Sequence, residues 1–176
     1  MYWFTSDLHL NHISAISMCN RPFENVEEMN NTLIANINSV VAKTDTLYLL
    51  GDISHRGKRE QVNELLERIN CKNKILVLGN HDKKYDESLF CEIHKLEEIH
   101  VLHGGKNYSI TLCHYPMMSW PKSNYGSIHL HGHIHSKPDE YNLQMKKEGI
   151  RRYDVGVDAN RFMPVSLEDI LKFMGI

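Results

Sequence analysis

Apolar stretches along this chain are short, and most stop abruptly at a cluster of polar residues. Residues 2–6 form an apolar and aromatic run that halts at Asp7, which reads as a first strand. Asn25 with Glu28 three residues on has the form of a capping box. Val26, Met29, Leu33, Ile37, Val40 and Val41 then recur at helical spacing, which predicts a helix over 26–42. A second strand is expected over 46–50, ended by Gly51 and Asp52. Val62, Leu65, Leu66 and Ile69 mark a second helix. A third strand over 74–78 runs into Gly79, Asn80, His81 and Asp82. Strands dominate the remainder, at 99–102, 108–113, 127–130 and 150–157. Ser166, with Asp169 three residues on, opens a final helix whose apolar side carries Ile170, Leu171 and Met174. Strand, helix, strand, helix, strand and then a run of strands predicts a layered α/β fold with parallel crossovers in its first half.

Length and composition narrow the class. The 176 residues suffice for one domain spanning 1–176, and no proline-, glycine- or serine-rich linker divides them. The formal net charge of −2 argues against a large nonspecific grip on nucleic acid. A small nucleotide or short strand stays open, because bound cations would add positive charge that residue counting misses. Cys19, Cys71, Cys91 and Cys113 include no C-x-x-C pair, which speaks against a zinc-thiolate site or a redox dithiol. Free thiols, the absence of a basic N-terminal region and the lack of a long apolar span together suggest a cytoplasmic protein with no membrane partner.

Twelve histidines are many for this length, and their placement is not random. Asp7-Leu8-His9, Gly51-Asp52, Gly79-Asn80-His81-Asp82, His114 and Gly132-His133-Ile134-His135 each follow a strand-like run. Ligands of α/β sheets bind beyond the carboxyl ends of strands, so these clusters are expected to share one crevice. In an extended segment, alternation would put both side chains of Asp-x-His or His-x-His on one face. Imidazole, carboxylate and amide donors without thiolate suit manganese, iron or zinc better than calcium. Taken singly, Gly-Asp or Gly-Asn-His-Asp could be a plain turn, and Gly-His-Ile-His a solvated strand edge. The ordered conjunction of all five is what ordinary turns do not explain. His94, His100, His103 and His129 lie off these positions and read as structural or surface residues.

In that order the five motifs resemble the calcineurin-like metallophosphoesterase superfamily. The resemblance implies a four-layer αββα sandwich of two mixed β-sheets flanked by helices. It implies two divalent metal ions, manganese first, with iron, zinc or nickel as alternatives. Asp7, His9 and His135 would hold one metal, Asn80, His114 and His133 the other, and Asp52 both. His81 matches the catalytic histidine, beside the leaving-group oxygen. Many relatives carry a second Asp after the Gly-Asp motif that orients this histidine; here His55 stands in its place. The implied activity is hydrolysis of phosphodiesters or phosphomonoesters through a metal-bound hydroxide. No insertion long enough for a cap separates the motifs, which favours small nucleotide-like or cyclic nucleotide diesters. His12 could contact phosphate, Arg21 and Arg56 could clamp it, and Trp120 could stack on a flat group, each against the alternative of a surface or packing residue. A nuclease for DNA or RNA ends and a noncatalytic metal-bound scaffold are the competing readings. The complete ligand set and His81 weigh against the scaffold.

Overall fold

A computed structural model describes every residue except Arg56. The first sheet has five strands in the order β4-β3-β2-β1-β9 and the second four, in the order β5-β6-β7-β8. Strands β1 (Tyr2–Thr5), β2 (Thr46–Leu49), β3 (Asn73–Val77) and β4 (Glu92–His94) are parallel, and β9 (Val165–Ser166) joins β1 antiparallel. In the second sheet β5 (Glu97–His103) and β6 (Lys106–Leu112) form an antiparallel hairpin. Strands β7 (Ile128–His131) and β8 (Arg152–Asp154) continue it in parallel. The expected crossovers are present: α2 (Val26–Val40) links β1 to β2, and α3 (Arg59–Glu67) links β2 to β3.

Period-two alternation in the strands builds two cores. Phe4, Tyr48, Ile75 and Val77 face Ile99, Ile110, Leu112, Ile128 and Leu130 across the sandwich, with Phe4 and Tyr48 stacked at 5.3 Å. On the opposite face, Leu47, Leu49 and Leu76 pack under Met29, Leu33 and Ile37 of α2 and Val62, Leu65 and Leu66 of α3. The Asn25 side chain caps α2 by accepting from the Glu28 amide, as the capping pattern predicts. Ser166 caps α5 (Leu167–Met174) through the Asp169 amide.

Differences from the sequence expectation lie where elements are short. Helices α1 (Ile13–Met18) and α4 (Tyr141–Lys147) have too few turns to show a period. Helix α4 covers β8, with both hydrogen-bonding groups of the Asn142 side chain on the Asp154 backbone. The strand expected over 150–157 holds its ladder only at Arg152–Asp154. The chain then leaves the second sheet and crosses to the first, where Gly156 bridges Ser6 and the Val157 amide donates to the Ser6 carbonyl. That crossing brings Asp158 beside the end of β1. Among the described residues no helix is long and apolar enough to cross a membrane.

Candidate metal centre

The loops following β1, β2, β3, β6 and β7 meet at one rim of the sandwich, and each brings its predicted motif. Their backbone is unusual. Asp7, His9, Asp52, His133 and His135 all have φ between 46° and 75°, a left-handed conformation that non-glycine residues seldom adopt. Each such residue costs on the order of 1–3 kcal/mol and persists only where its surroundings over-determine it. The Asp-x-His and His-x-His pairs therefore share a direction for a different reason than strand alternation. They lie past the strand ends, where left-handed residues alternate with ordinary ones.

Hydrogen bonds hold this strained backbone. The amides of Asp7 and His9 donate to the carbonyls of Gly51 and Asp52, each at 3.0 Å. The His133 amide donates to Asp7 Oδ2 at 2.9 Å. Asp82 accepts from the amides of Asp52, Ile53 and Gly79, each at 2.8 Å, so it ties two motif loops together and does not support His81. The glycines permit the close approach. Gly51 has φ 86°, and a Cβ there would lie 2.6 Å from the Gly79 nitrogen; one on Gly79 would collide with the Asp52 carboxylate.

Two groups of ligand atoms result, Asp7 with His9 and His135, and Asp52 with His114 and His133, each lying within 4.8 Å of one another. The Asp52 carboxylate sits between them, Oδ2 being 3.8 Å from His9 Nε2 and 3.5 Å from His114 Nε2. Asn80 Oδ1 is 3.1 Å from His114 Nε2, so the amide joins the second group. Asp7 Oδ1 and His9 Nε2 are buried with no hydrogen-bond partner among the described residues. A fold rarely leaves two adjacent polar atoms so, and a cation is the partner their chemistry fits. Burial, then the neighbouring charges of His135 and Arg21, push His9 down to about 2. It is thus the neutral imidazole that metal binding needs. Burial raises Asp7 to about 6.

A second layer of contacts orients the imidazoles. His114 Nδ1 donates to the Leu50 carbonyl at 2.8 Å, which turns Nε2 into the cleft. His135 Nδ1 lies 2.7 Å from Asp158 Oδ2 and 3.3 Å from Cys19 Sγ. Burial opposes charge on His135, but the bonds to Asp158 and Cys19 and the nearby Asp7 outweigh it, lifting its pKa to about 10. Arg21 is corrected here: it is not a phosphate clamp. Its side chain is wholly buried, holding Asp158 through Nε at 2.9 Å and Nη2 at 2.8 Å. The rest of the guanidinium donates to the carbonyls of Leu8 and Asp7.

Asp158 and Cys19 escaped the sequence reading. Asp158 carries the same signature as the motifs, an acid ending an apolar run, but without an adjacent histidine to mark it. Cys19 has no sequence signal, because only the folding of α1 over the cleft brings it to His135. Trp120 is also placed elsewhere: it is buried, packs on His129 and donates to the Ser127 carbonyl, away from the ligand groups. Arg56 lies outside the described residues. His12 lines the ligand cleft, a space of about 460 Å³, with Nδ1 3.3 Å from His9 Nδ1. His81 lines it too, one-third exposed, with Nε2 3.9 Å from Asp52 Oδ2 and its ring 4.0 Å from that of His55.

The profile of the calcineurin-like phosphoesterases matches residues 2–158, ending at the residue that holds His135. The chain belongs to the calcineurin-like phosphoesterase family. The chain is 39% identical over 175 residues to an uncharacterized protein of Methanocaldococcus jannaschii, covering 98% of this chain and 90% of that one. It is 31% identical over 185 residues to the gene 66 protein of mycobacterium phage L5, covering 89% and 86%. A protein of unknown function from Aquifex aeolicus has a similar crystal structure, with a TM-score of 0.73, 28% identity and 98% of both chains covered. Membership makes the family's metal-dependent phosphoesterase chemistry the frame for the groups above.

Proposed function

We propose that the chain is a dinuclear metal-dependent phosphoesterase that hydrolyses small phosphodiesters in preference to phosphomonoesters, with manganese first among its candidate metals. The observation that carries this reading is the Asp52 carboxylate, set between two separate ligand groups at 3.8 and 3.5 Å from one histidine of each. Asp7, His9 and His135 would hold one metal, and Asn80, His114 and His133 the other. Bound there, such ions supply Lewis-acid polarisation of phosphoryl oxygens and lower the pKa of water. His81 would donate the proton from Nε2 to the departing oxygen, a contribution typically worth about 10²–10⁴ in rate. His55 takes the place of a supporting carboxylate by packing its ring against His81. His12, whose ring lies 4.6 Å from that of His55, also lines the cleft and would contact a phosphoryl oxygen. Among the described residues no cap covers the cleft, which suits an esterified phosphate whose second arm must extend into solvent.

A panel pairing manganese, nickel, zinc, iron and magnesium with matched nitrophenyl mono- and diesters tests the reading. The expected result is a higher kcat/KM for the diester; a clear monoester preference reverses that part. Anomalous scattering from manganese-soaked crystals should give two peaks flanking Asp52, and a single full-occupancy peak would overturn the dinuclear part.

A further inference from the structure

On the far side of His81 lies a second cavity of about 200 Å³. His55 and His81 line both this cavity and the ligand cleft, so the two spaces meet across these rings. Lys83, Lys84 and Tyr85 form its outer wall. Both lysines are exposed, and neither makes an ion pair or hydrogen bond with another described residue. The carboxylate in the wall, Asp82, forms no ion pair with them; its two oxygens accept from the amides of Asp52, Ile53 and Gly79. Lys83 and Lys84, both without an ion-pair partner among the described residues, thus belong to the lining of a space large enough for a phosphate-sized group, at roughly 30 Å³ per water displaced.

The position of this cavity gives it a role. In an in-line displacement the attacking and leaving oxygens lie on opposite sides of phosphorus. Under the two-metal reading the attacking water would be held on the Asp52 side; His81 Nε2 is 3.9 Å from Asp52 Oδ2, and His81 also lines the cavity. A group protonated by His81 departs toward Lys83 and Lys84. We propose that this cavity is a subsite for a second phosphate on the leaving alcohol, so that the preferred substrate is a phosphodiester whose leaving group is itself phosphorylated. The inference rests on the phosphoesterase reading and on His81 facing the leaving group. The reaction remains a hydrolysis: water oxygen forms the new bond to phosphorus, the ester oxygen on the leaving side departs with a proton from His81, and the proton that the attacking water gives up passes to solvent, from which His81 is reprotonated. Nothing is oxidised or reduced.

Three dinucleotides decide the point: thymidylyl-thymidine, and the same compound with a terminal phosphate at the 5′ or the 3′ end. With the metal-loaded protein, one phosphorylated form should exceed the plain dinucleotide about tenfold in kcat/KM, the size expected of one or two partly exposed charge contacts. Lys83→Gln combined with Lys84→Gln should bring that ratio to within about twofold of one, whereas Lys106→Gln, outside both cavities, should leave it unchanged. Calorimetry supplies a readout that needs no turnover. Thymidine 3′,5′-bisphosphate should bind more tightly than thymidine 5′-phosphate, and the double variant should lose that margin. Equal efficiencies for all three dinucleotides, or equal binding of the two nucleotides, overturns the subsite. Failure of every metal to support hydrolysis of any nitrophenyl ester overturns the phosphoesterase reading instead, and the binding comparison still judges the subsite.

Discussion

Asp158 Oδ2 lies 2.7 Å from Nδ1 of His135, and the same carboxylate is held by the buried guanidinium of Arg21. The chain from Arg21 through Asp158 fixes which ring nitrogen of His135 faces Asp7. Outer contacts of this kind typically alter metal affinity about 10–100-fold. Asp158→Asn should therefore weaken metal binding by about that factor, measured by competition with a chromogenic chelator, while the fold persists. Asp158→Ala should do more. It takes from the buried Arg21 guanidinium the hydrogen-bond acceptor that Asn would keep as well as the counter-charge, and thermal denaturation should show a loss of about 3–5 kcal/mol. Unchanged metal affinity in Asp158→Asn would remove the positioning role.

Without metal, His135 holds a proton well into the alkaline range, its pKa being raised to about 10. A raised pKa stabilises the metal-free fold fully below the ordinary value of 6.5, and that stability is lost as pH rises toward 10. Metal binding runs the other way, because it must displace the proton. Between pH 7 and 9 the metal-free protein should melt progressively lower while its metal affinity climbs, up to about tenfold per pH unit for one proton. Calorimetry in buffers of different ionisation enthalpy should detect proton release on metal binding at pH 7; no release would show that His135 enters the reaction already neutral.

Asp52→Asn and His133→Ala should both lose activity with the fold intact. Each takes a charge or a donor from the group around Asp52, and neither side chain belongs to the apolar cores. Metal content by atomic emission should fall in step with turnover. Near-normal turnover of either variant at saturating metal would remove that residue from the ligand set.

His81→Ala should keep its metals. Its rate loss should be large for an alkyl leaving group and small for nitrophenolate, which departs with little help from an acid. An equal loss for both would give His81 a role in holding phosphate instead. Loss of metal would make it a ligand.

Gly79→Ala tests the packing of the motif loops. The added methyl group meets the Asp52 carboxylate, which accepts from the His81 amide, and the Asp52 amide, which donates to Asp82, so neither can yield without breaking a bond between the motif loops. The expected outcome is weaker metal binding together with a lower melting temperature, whereas an alanine on the exposed Lys43 should change neither.

Much of the site could be read directly because its chemistry is local. Asp7, His9, Asp52, Asn80, His114, His133 and His135 each stand next to a strand end. The helices α2 and α3 were legible because nine or more residues at period 3.6 bury one face. Short elements were not, since six or seven residues in α1 and α4 are two turns at most. The sequence leaves Arg21 and Trp120 open between a ligand contact and a surface or packing role for a related reason. An exposed cation and a buried one read alike in sequence, and only packing tells them apart.

Pattern and composition by themselves determined a layered α/β chain with metal-ligand chemistry at the ends of its strands. Tertiary structure decided how those residues act together. Left-handed backbone at five candidate ligands, the pairing of Arg21 with Asp158 across 137 positions, and the lysine-lined cavity behind His81 depend on contacts between distant segments. Such contacts leave little trace in any one segment, because each partner's local preferences are satisfied by many other neighbours. The strain at Asp7 or His135 is stable only once the neighbouring loops have closed around it.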